Sequence, residues 1–184
     1  MILDKRNMSE EEMIKGCLKN NPLAQRALYN KLGPKMMGVC LRYMTNTEEA
    51  QDVLQDGFIK VFDKLGAYSG AGSFEGWARR IFVNTALDAI RKNKKLKHQT
   101  QIDDVAFALR SNDFIFETLV AEDLLKLLQE LPPGYKTVFN LYAIEGYSHK
   151  EIAKKMNVTV STSKSQFSRA KAMLREKITE LEKE

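Results

Sequence analysis

The sequence predicts an all-α protein made of two small helical domains joined by a linker. Apolar residues recur at helical spacing near both ends of the chain, and Ser-x-x-Glu capping boxes begin helices after Ser9 and Ser148. Between residues 96 and 117 the helical periodicity fades and the local charge turns acidic. We therefore predict domains at 1–95 and 118–184, with residues 96–117 as the linker.

Charge is concentrated in one segment. The chain of 184 residues has a formal net charge of +5 and is 43% hydrophobic, enough for one core or two small ones. Residues 74–97 hold seven basic side chains and only two acidic ones, an excess as large as that of the whole chain. A local excess of this kind favours a polyanionic partner.

The scarcity of cysteine and histidine and the lack of long apolar runs disfavour metalloproteins, enzymes and membrane proteins. Cys17 and Cys40 lie in apolar helical patterns without metal-ligand spacing, so we expect reduced thiols and no metal or other cofactor. The only histidines, His98 and His149, lie outside any cluster of carboxylates or cysteines, so enzymatic activity is not expected. With no apolar run long enough to span a membrane and no signal-peptide pattern, we expect a cytoplasmic protein without direct membrane insertion.

The first three helices form a scaffold with one ambiguous face. We predict helices from Ser9 to about Lys19, from Asn21-Pro22 to about Thr45, and from Glu48 to Leu65, with the Gly33-Pro34 pair bending or interrupting the second. In the third helix an apolar side faces away from Asp52, Gln55 and Asp56. Periodicity leaves open whether that polar face is merely solvated or binds a partner.

The fourth helix carries the basic segment. After a loop with three glycines, Gly66–Ser73, the pattern predicts a helix over residues 74–93 that is apolar on most of its circumference. The remaining polar stripe is formed by Trp77, Arg80, Asn84, Asp88, Arg91 and Lys95. Such a stripe fits nucleic acid, although a core helix with a solvated basic edge would read the same way.

A helix-turn-helix pattern occupies the C-terminal part. Helices predicted at 119–130 and 133–144 are followed by a short helix after Ser148, a turn at Asn157, and a last helix capped by Thr159. The outer side of that last helix is small, polar and basic. It suits the major groove, whereas an amphipathic hairpin with a solvated face remains the alternative.

These motifs together resemble a known family. Segments Asp52–Phe58, Phe74–Trp77, Arg80–Asn84 and Ala86–Arg91 resemble sigma region two, and Ser148–Met156 with Thr162–Lys171 resembles sigma region four. In this order the chain is similar to RNA polymerase sigma factors of the extracytoplasmic-function (ECF) group. The resemblance implies an alternative-type sigma factor that binds core RNA polymerase, recognises promoter DNA and promotes strand opening, with a region 2 helical bundle and a region 4 helix-turn-helix.

The resemblance also implies partners and roles by position. Implied partners are the clamp helices of the largest polymerase subunit, the flap of the second subunit, promoter DNA and an anti-sigma factor, through which the protein could be held at the inner membrane. For core polymerase the implied residues are Asp52, Gln55, Asp56, Phe58 and Phe62. For the −10 promoter element they are Ser73, Phe74, Trp77, Arg80, Asn84, Asp88, Arg91, Lys92 and Lys95, of which Arg91 to Lys95 would hold the upstream duplex backbone. For the −35 element they are Ser161, Thr162, Lys164, Ser165, Ser168, Arg169 and Lys171.

Three departures from the family pattern fall in the last two helices. Val160-Ser161 stands where Glu-Gly is usual, Asn157 replaces the turn glycine, and Ser163 occupies a position that is often apolar, where we expect looser packing. The alternative function is a stand-alone helix-turn-helix regulator that binds duplex DNA unaided. It would leave the polar stripe and the face around Asp52 without a role.

Overall fold

The computed structural model describes residues 8–99 and 118–181, with side chains at 8–93 and 123–180. Every regular element in these ranges is helical, which confirms the all-α class. By its internal contacts the chain divides into two compact units, Met1–Val105 and Ala106–Glu184. Unit 1 contains α1 (Glu10–Leu18), α2 (Pro22–Tyr43), α3 (Thr47–Lys64), a 3₁₀ turn (Leu65–Ala67) and α4 (Phe74–Gln99). Unit 2 contains α5 (Thr118–Gln129), α6 (Pro133–Phe139), a π turn (Asn140–Ile144), α7 (His149–Met156) and α8 (Val160–Leu181).

The first two helices begin where local capping predicts. The Ser9 hydroxyl accepts from the Glu12 amide at 3.2 Å, and the Glu12 carboxylate accepts from the Ser9 amide at 2.8 Å. Asn21 caps α2 by accepting from the Leu23 amide at 2.9 Å. These bonds satisfy amides that have no partner within the helix.

Of the bend or interruption predicted at Gly33-Pro34, the interruption does not occur. Helix α2 is continuous across both residues, with Pro34 in its interior and exposed to solvent. Proline disfavours helix at the preceding residue chiefly by a clash with that residue's Cβ and amide, and Gly33 has no Cβ. The loss of one hydrogen bond is offset here by packing, because Leu32 and Met36 on either side are buried.

The core of unit 1 lies between α2, α3 and α4, which pack against one another, while α1 packs on α2. Leu28 and Met36 from α2, Val61 from α3 and Phe82 from α4 are each at most 1% exposed. Helices α3 and α4 approach closely at Gly57, where an added Cβ would lie 2.2 Å from Cε1 of Phe82. Because Phe82 packs against α3 at this point, its side of α4 is buried and the opposite side faces solvent.

Unit 2 is built around α8, which packs against α5, α6 and α7. Its core cluster joins Leu127, Leu128 and Leu131 to Ala170 and Leu174. The predicted single helix over 133–144 is instead α6 followed by the π turn, in which the Glu145 amide donates to the Asn140 carbonyl at 2.9 Å.

Both cysteines are free and buried, as expected. Burial raises the pKa of the Cys40 thiol to about 12, so it stays protonated. Within residues 8–99 and 118–181 there is no group of three or more His, Cys, Asp or Glu side chains that could hold a metal ion. Among the described helices, none is both long and apolar enough to cross a membrane.

Candidate nucleic-acid and partner interfaces

The polar stripe of α4 lies on the solvent side, as the periodicity predicts. Arg80, Asn84, Asp88 and Arg91 are exposed and Trp77 is half-buried, whereas Ala78, Phe82, Val83, Ala86 and Leu87 on the other side are buried. Lys92 is exposed as well. The side chain of Lys95, the last predicted member, lies outside those that the structure describes.

Asp88 organises the cations of the stripe. Its carboxylate pairs with the Arg91 guanidinium at 2.7 Å and with the Lys60 ammonium of α3 at 3.7 Å. A carboxylate repels a phosphate and attracts both cations. Its geometry therefore suits the positioning of Arg91 and Lys60 better than a direct contact with DNA.

An aromatic cluster of Tyr68, Phe74 and Trp77 stands at the start of α4. The Phe74 ring stacks on Trp77 with centroids 5.5 Å apart, and Tyr68 meets both rings at 5.1 and 5.4 Å. Phe74 is only 1% exposed, so its assignment as a direct DNA contact is corrected. It cannot present a face to a base, because its ring is covered by the core and by its two aromatic neighbours. Its place is to support Trp77.

The loop before α4 is held by its own polar groups. Gly70 and Gly72 have positive φ angles of 78° and 91°, which side-chain-bearing residues rarely adopt. The Tyr68 hydroxyl donates to the Gly72 carbonyl at 2.7 Å, and the Ser73 hydroxyl caps α4 by accepting from the Gly76 amide at 3.2 Å. Ser73 is thus exposed but already engaged in starting the helix.

Helix α3 presents an acidic face without internal partners. Asp52, Gln55 and Asp56 are exposed, and none makes a hydrogen bond or ion pair with the rest of the described chain. Glu48 and Asp63, also exposed on α3, likewise have no ion-pair or hydrogen-bond partner among the described residues. By contrast, Glu10 pairs with Lys31, Glu11 with Lys15, Glu75 with Lys35 and Asp88 as above. Glu48, Asp52, Asp56 and Asp63, the exposed carboxylates of α3, therefore lack counter-charges among the described residues.

The two aromatic residues predicted for the docking surface of α3 differ in exposure. Phe58, expected to be shared between the core and the docking surface, is 4% exposed and enclosed by Tyr29, Phe62 and Phe82, so the structure supports only its place in the core. Phe62 is half-buried and keeps an accessible edge. Sequence reasoning missed Ile59, which is 59% exposed one helical turn beyond Gln55 and Asp56. Its isolated apolar position within a polar face was the available signal.

The helix-turn-helix of unit 2 has the predicted local geometry. Ser148 and Glu151 form the capping box of α7, and Asn157 ends that helix in the left-handed conformation at φ 53° and ψ 50°. The Thr159 hydroxyl accepts from the Thr162 amide at 3.0 Å and so starts α8. Asparagine thus replaces the usual turn glycine without breaking the motif, because it tolerates this backbone region better than most residues.

The two helices are tied together by a bond that the sequence did not reveal. Ser163 is fully buried, and its hydroxyl lies 2.9 Å from Nδ1 of His149 at the start of α7. The imidazole also stacks on Tyr142 with centroids 4.3 Å apart. The expectation of loose packing at Ser163 is therefore corrected. Burial, with a smaller contribution from the Lys164 charge, lowers the pKa of His149.

The outer side of α8 is exposed as predicted. Side chains of Ser161, Lys164, Ser165, Ser168, Arg169 and Lys171 reach solvent, and Thr162 is half-buried against Thr159. Arg169 is held by the Tyr135 hydroxyl at 3.1 Å, a partner not foreseen, and Lys171 lies over the Phe167 ring at 4.8 Å. The Lys164 ammonium makes no ion pair or hydrogen bond among the described residues. It is therefore available to an external anion.

Comparisons with known proteins agree with these motifs. The family model "Sigma-70 region 2" matches residues 28–96, and "Sigma-70, region 4" matches residues 121–174. The RNA polymerase sigma-H factor of Pseudomonas aeruginosa is 27% identical over 88% of this chain and 90% of its own. The ECF RNA polymerase sigma-E factor of Haemophilus influenzae is 26% identical over 95% and 97%, and the ECF factor SigW of Bacillus subtilis 28% over 80% and 84%.

A solved structure shares the fold. The sigma factor RpoE of Bartonella quintana, crystallised with the anti-sigma factor NepR, aligns with a TM-score of 0.58 at 19% identity, covering 84% of this chain and 96% of that one. The two matched regions lie one in each unit and follow the family order. The chain therefore belongs to the sigma-70 family, as an alternative RNA polymerase sigma factor of the ECF group that acts in transcription initiation.

Proposed function

We propose that the exposed surfaces of α3, α4 and α8 each bind a different partner during transcription initiation. The acidic face of α3 docks on the clamp helices of the largest polymerase subunit. The α4 stripe, with Trp77 and the loop before it, captures unpaired DNA of the −10 element, and α8 reads the −35 element. The protein contributes binding energy and strand opening and no catalytic chemistry of its own.

The observation that carries this proposal is the contrast between the exposed carboxylates of α3 and those of α1 and α4. Asp52 and Asp56 have no ion-pair or hydrogen-bond partner among the residues with described side chains, whereas Glu10, Glu11 and Glu75 form ion pairs with lysines. Self-contained pairs contribute little to association, whereas unpaired charges steer a complementary surface and strengthen its encounter. Ile59 beside them supplies apolar area that would be buried on docking.

The first test is run-off transcription with core polymerase on sheared DNA from the source genome. We expect the wild-type chain to direct initiation from discrete promoters. If it binds duplex DNA but neither binds core nor directs any initiation, the stand-alone regulator is correct instead.

The second test separates docking from DNA binding. The double variant Asp52→Asn, Asp56→Asn removes both charges with little change in shape. It should weaken core binding by roughly tenfold at low salt, because exposed charges each contribute up to about 1 kcal/mol at an interface. The effect should shrink at high salt. Fluorescence anisotropy of the labelled sigma chain, titrated with core, measures the affinity.

A matched control is the double variant Glu10→Gln, Glu11→Gln, which removes two charges that are already paired. Its core affinity should equal that of the wild type. Equal weakening by both variants would mean that only net charge matters and that α3 is not the docking surface.

An anti-sigma factor is the further partner we propose. The aligned Bartonella sigma factor was crystallised with one. Such a partner would compete with core polymerase, and a cytoplasmic location follows for the complex with polymerase. Co-purification with the products of neighbouring genes, followed by competition against core, tests this partner. A product that binds without displacing core would not be an inhibitor of this kind.

A further inference from the structure

The loop from Tyr68 to Ser73, here called the glycine loop, would be costly to order if it were free. Gly70 and Gly72 adopt positive φ angles, and a Cβ added at either would meet no atom within 4 Å. Close packing around their Cα atoms therefore does not fix these two residues. Glycine loses more conformational entropy on ordering than any other residue, so a ligand that had to order this loop would bind more weakly.

Tyr68 connects the loop to the rigid part of the unit. Its ring packs on the buried Phe74 and on Trp77, with centroids 5.1 and 5.4 Å away. Its hydroxyl reaches across the loop and donates to the carbonyl of Gly72 at 2.7 Å. One end of the side chain is thus anchored in the aromatic cluster while the other holds the far side of the loop.

The remaining bonds of the loop are weaker or lie at its ends. The Ser69 hydroxyl accepts from the Ala71 amide at 3.4 Å, and the Ser73 hydroxyl is used in capping α4. The Tyr68 to Gly72 bond is the only one among the described contacts that closes the loop across both positive-φ glycines. Its loss would release Gly70 to Gly72 while leaving α4 capped.

We propose that Tyr68 is a positioning residue for strand opening: its hydroxyl holds the glycine loop in the conformation that receives an unpaired promoter base beside Trp77. This inference rests on the proposed role of the loop and the α4 stripe in capturing unpaired DNA. Tyr68 need not contact the base itself. It acts by ordering the loop before DNA binds, so that the loop loses less conformational entropy on binding.

The hydroxyl can be removed without disturbing the fold. Phenylalanine at position 68 keeps the ring contacts with Phe74 and Trp77, and the Gly72 carbonyl, in an exposed loop, can turn to water. Tyr29→Phe is the matched control, because Tyr29 is an exposed tyrosine of the same unit whose hydroxyl makes no hydrogen bond among the described residues.

The experiment compares two forms of one promoter. Holoenzyme is assembled from core polymerase and the full-length chain, and the promoter is a fragment that the wild-type holoenzyme transcribes. One template is fully duplex and the other has a pre-melted, non-complementary bubble over the −10 element. The rate of abortive RNA synthesis is measured on each, together with core affinity and thermal unfolding.

On the duplex template Tyr68→Phe should lower the rate roughly three- to tenfold, the worth of one hydrogen bond that preorganises a site. On the bubble template, where opening no longer depends on base capture, its rate should be within about twofold of the wild type. Tyr29→Phe should match the wild type on both templates. Core affinity and the unfolding midpoint should be unchanged for either variant.

Two results overturn the inference. A duplex rate for Tyr68→Phe equal to that of the wild type would show that the hydroxyl does not position the loop. An equal loss on both templates would assign Tyr68 a purely structural role. If the wild-type holoenzyme opens no promoter, the proposed function fails and the inference fails with it, so the two failures are told apart by the wild-type measurement.

Discussion

Ser163 stabilises the packing between the last two helices through its hydrogen bond, although it was expected to loosen that packing. In the sequence it occupies a position that is often apolar, yet in the fold it has no exposed surface and bonds to His149, fourteen residues earlier. A buried hydroxyl without a partner would cost free energy, whereas a satisfied one fixes the relative placement of α7 and α8. Periodicity within one helix carries no information about such a partner.

The protonation of His149 should make the stability of unit 2 depend on pH. Its pKa in the fold lies below the ordinary value of about 6.5, so the unfolded chain takes up a proton more readily. Above that pH both states are neutral. As pH falls below about 6.5, the unfolded state gains the proton first and the free energy of unfolding decreases.

Urea unfolding of the wild type and of His149→Gln at pH 7.5 and pH 5.5 measures this effect. The wild type should lose more stability between the two pH values than the variant does. The same loss in both proteins would place the titrating group elsewhere.

Gly57 is required by the closeness of α3 and α4. An added Cβ would lie 2.2 Å from the ring of Phe82, which is fully buried, so the ring or the helix would have to shift. Gly57→Ala should therefore destabilise unit 1 by about 1–3 kcal/mol through overpacking. Urea denaturation followed by circular dichroism measures the change.

Gly38 in α2 is the matched control for this substitution. A Cβ there would meet nothing within 4 Å, so Gly38→Ala should be neutral or stabilise by up to about 1 kcal/mol through helix propensity. Destabilisation by Gly38→Ala of the size expected at position 57 would mean that the close approach to Phe82 is not the cause.

Aromatic residues were the least predictable from sequence. Phe74 and Phe58 stand in segments rich in polar groups, and a ring can equally stack on a ligand or fill a core. The structure places both in the core, at 1% and 4% exposure. Trp77 and Phe62, one helical turn further along their helices, keep an accessible edge. Only the packing of neighbouring helices distinguishes these cases.

Among the helices, the ends were more predictable than the interiors. The starts of α1 and α7 follow from capping boxes, and the turn after α7 follows from Asn157, because each signal involves residues only a few positions apart. The continuity of α2 through Pro34 depends instead on the buried residues around it. Likewise α4 extends to Gln99, six residues beyond the end predicted for that helix at residue 93.

Helix α8 should bind phosphate through Lys164. This ammonium has no described internal partner, so its replacement removes an external contact without freeing another group. Lys164→Ala should weaken holoenzyme binding to duplex promoter DNA and reduce the slope of log affinity against log salt by about one. Filter binding at several salt concentrations measures both quantities.

Lys126→Ala provides the comparison, because Lys126 is a solvent-exposed lysine of the same unit that pairs with Asp123 on α5. Its affinity and salt slope should match those of the wild type. If Lys164→Ala leaves the slope unchanged, Lys164 lies outside the interface.

At the level of the whole molecule, the order of the motifs was more informative than any one of them. The stripe on α4 and the small hairpin of α7 and α8 each admit a purely structural interpretation. Their occurrence in succession, one in each unit, matches sigma regions 2 and 4. The partner of each surface could not be read from periodicity, because an exposed polar face looks the same with or without a ligand.

Each unit has its own core, so their stabilities should be separable. Leu174 lies in the unit 2 cluster with Leu127 and Leu131. Leu174→Ala should cost about 2–3 kcal/mol there by leaving a cavity. In hydrogen exchange followed by mass spectrometry, amides of α8 should exchange faster while those of α2 and α4 keep the wild-type rate. Faster exchange in α2 as well would show that the two units share stability.

The position of Trp77 makes it an intrinsic fluorescence probe of the proposed DNA-capture surface. It is the only tryptophan in the chain, half-buried, in contact with Phe74 and Tyr68, and next to the glycine loop. Its emission should therefore respond to events at the proposed DNA-capture surface with no signal from unit 2. A base stacking on the indole would quench it, so binding and opening become visible in the unlabelled protein.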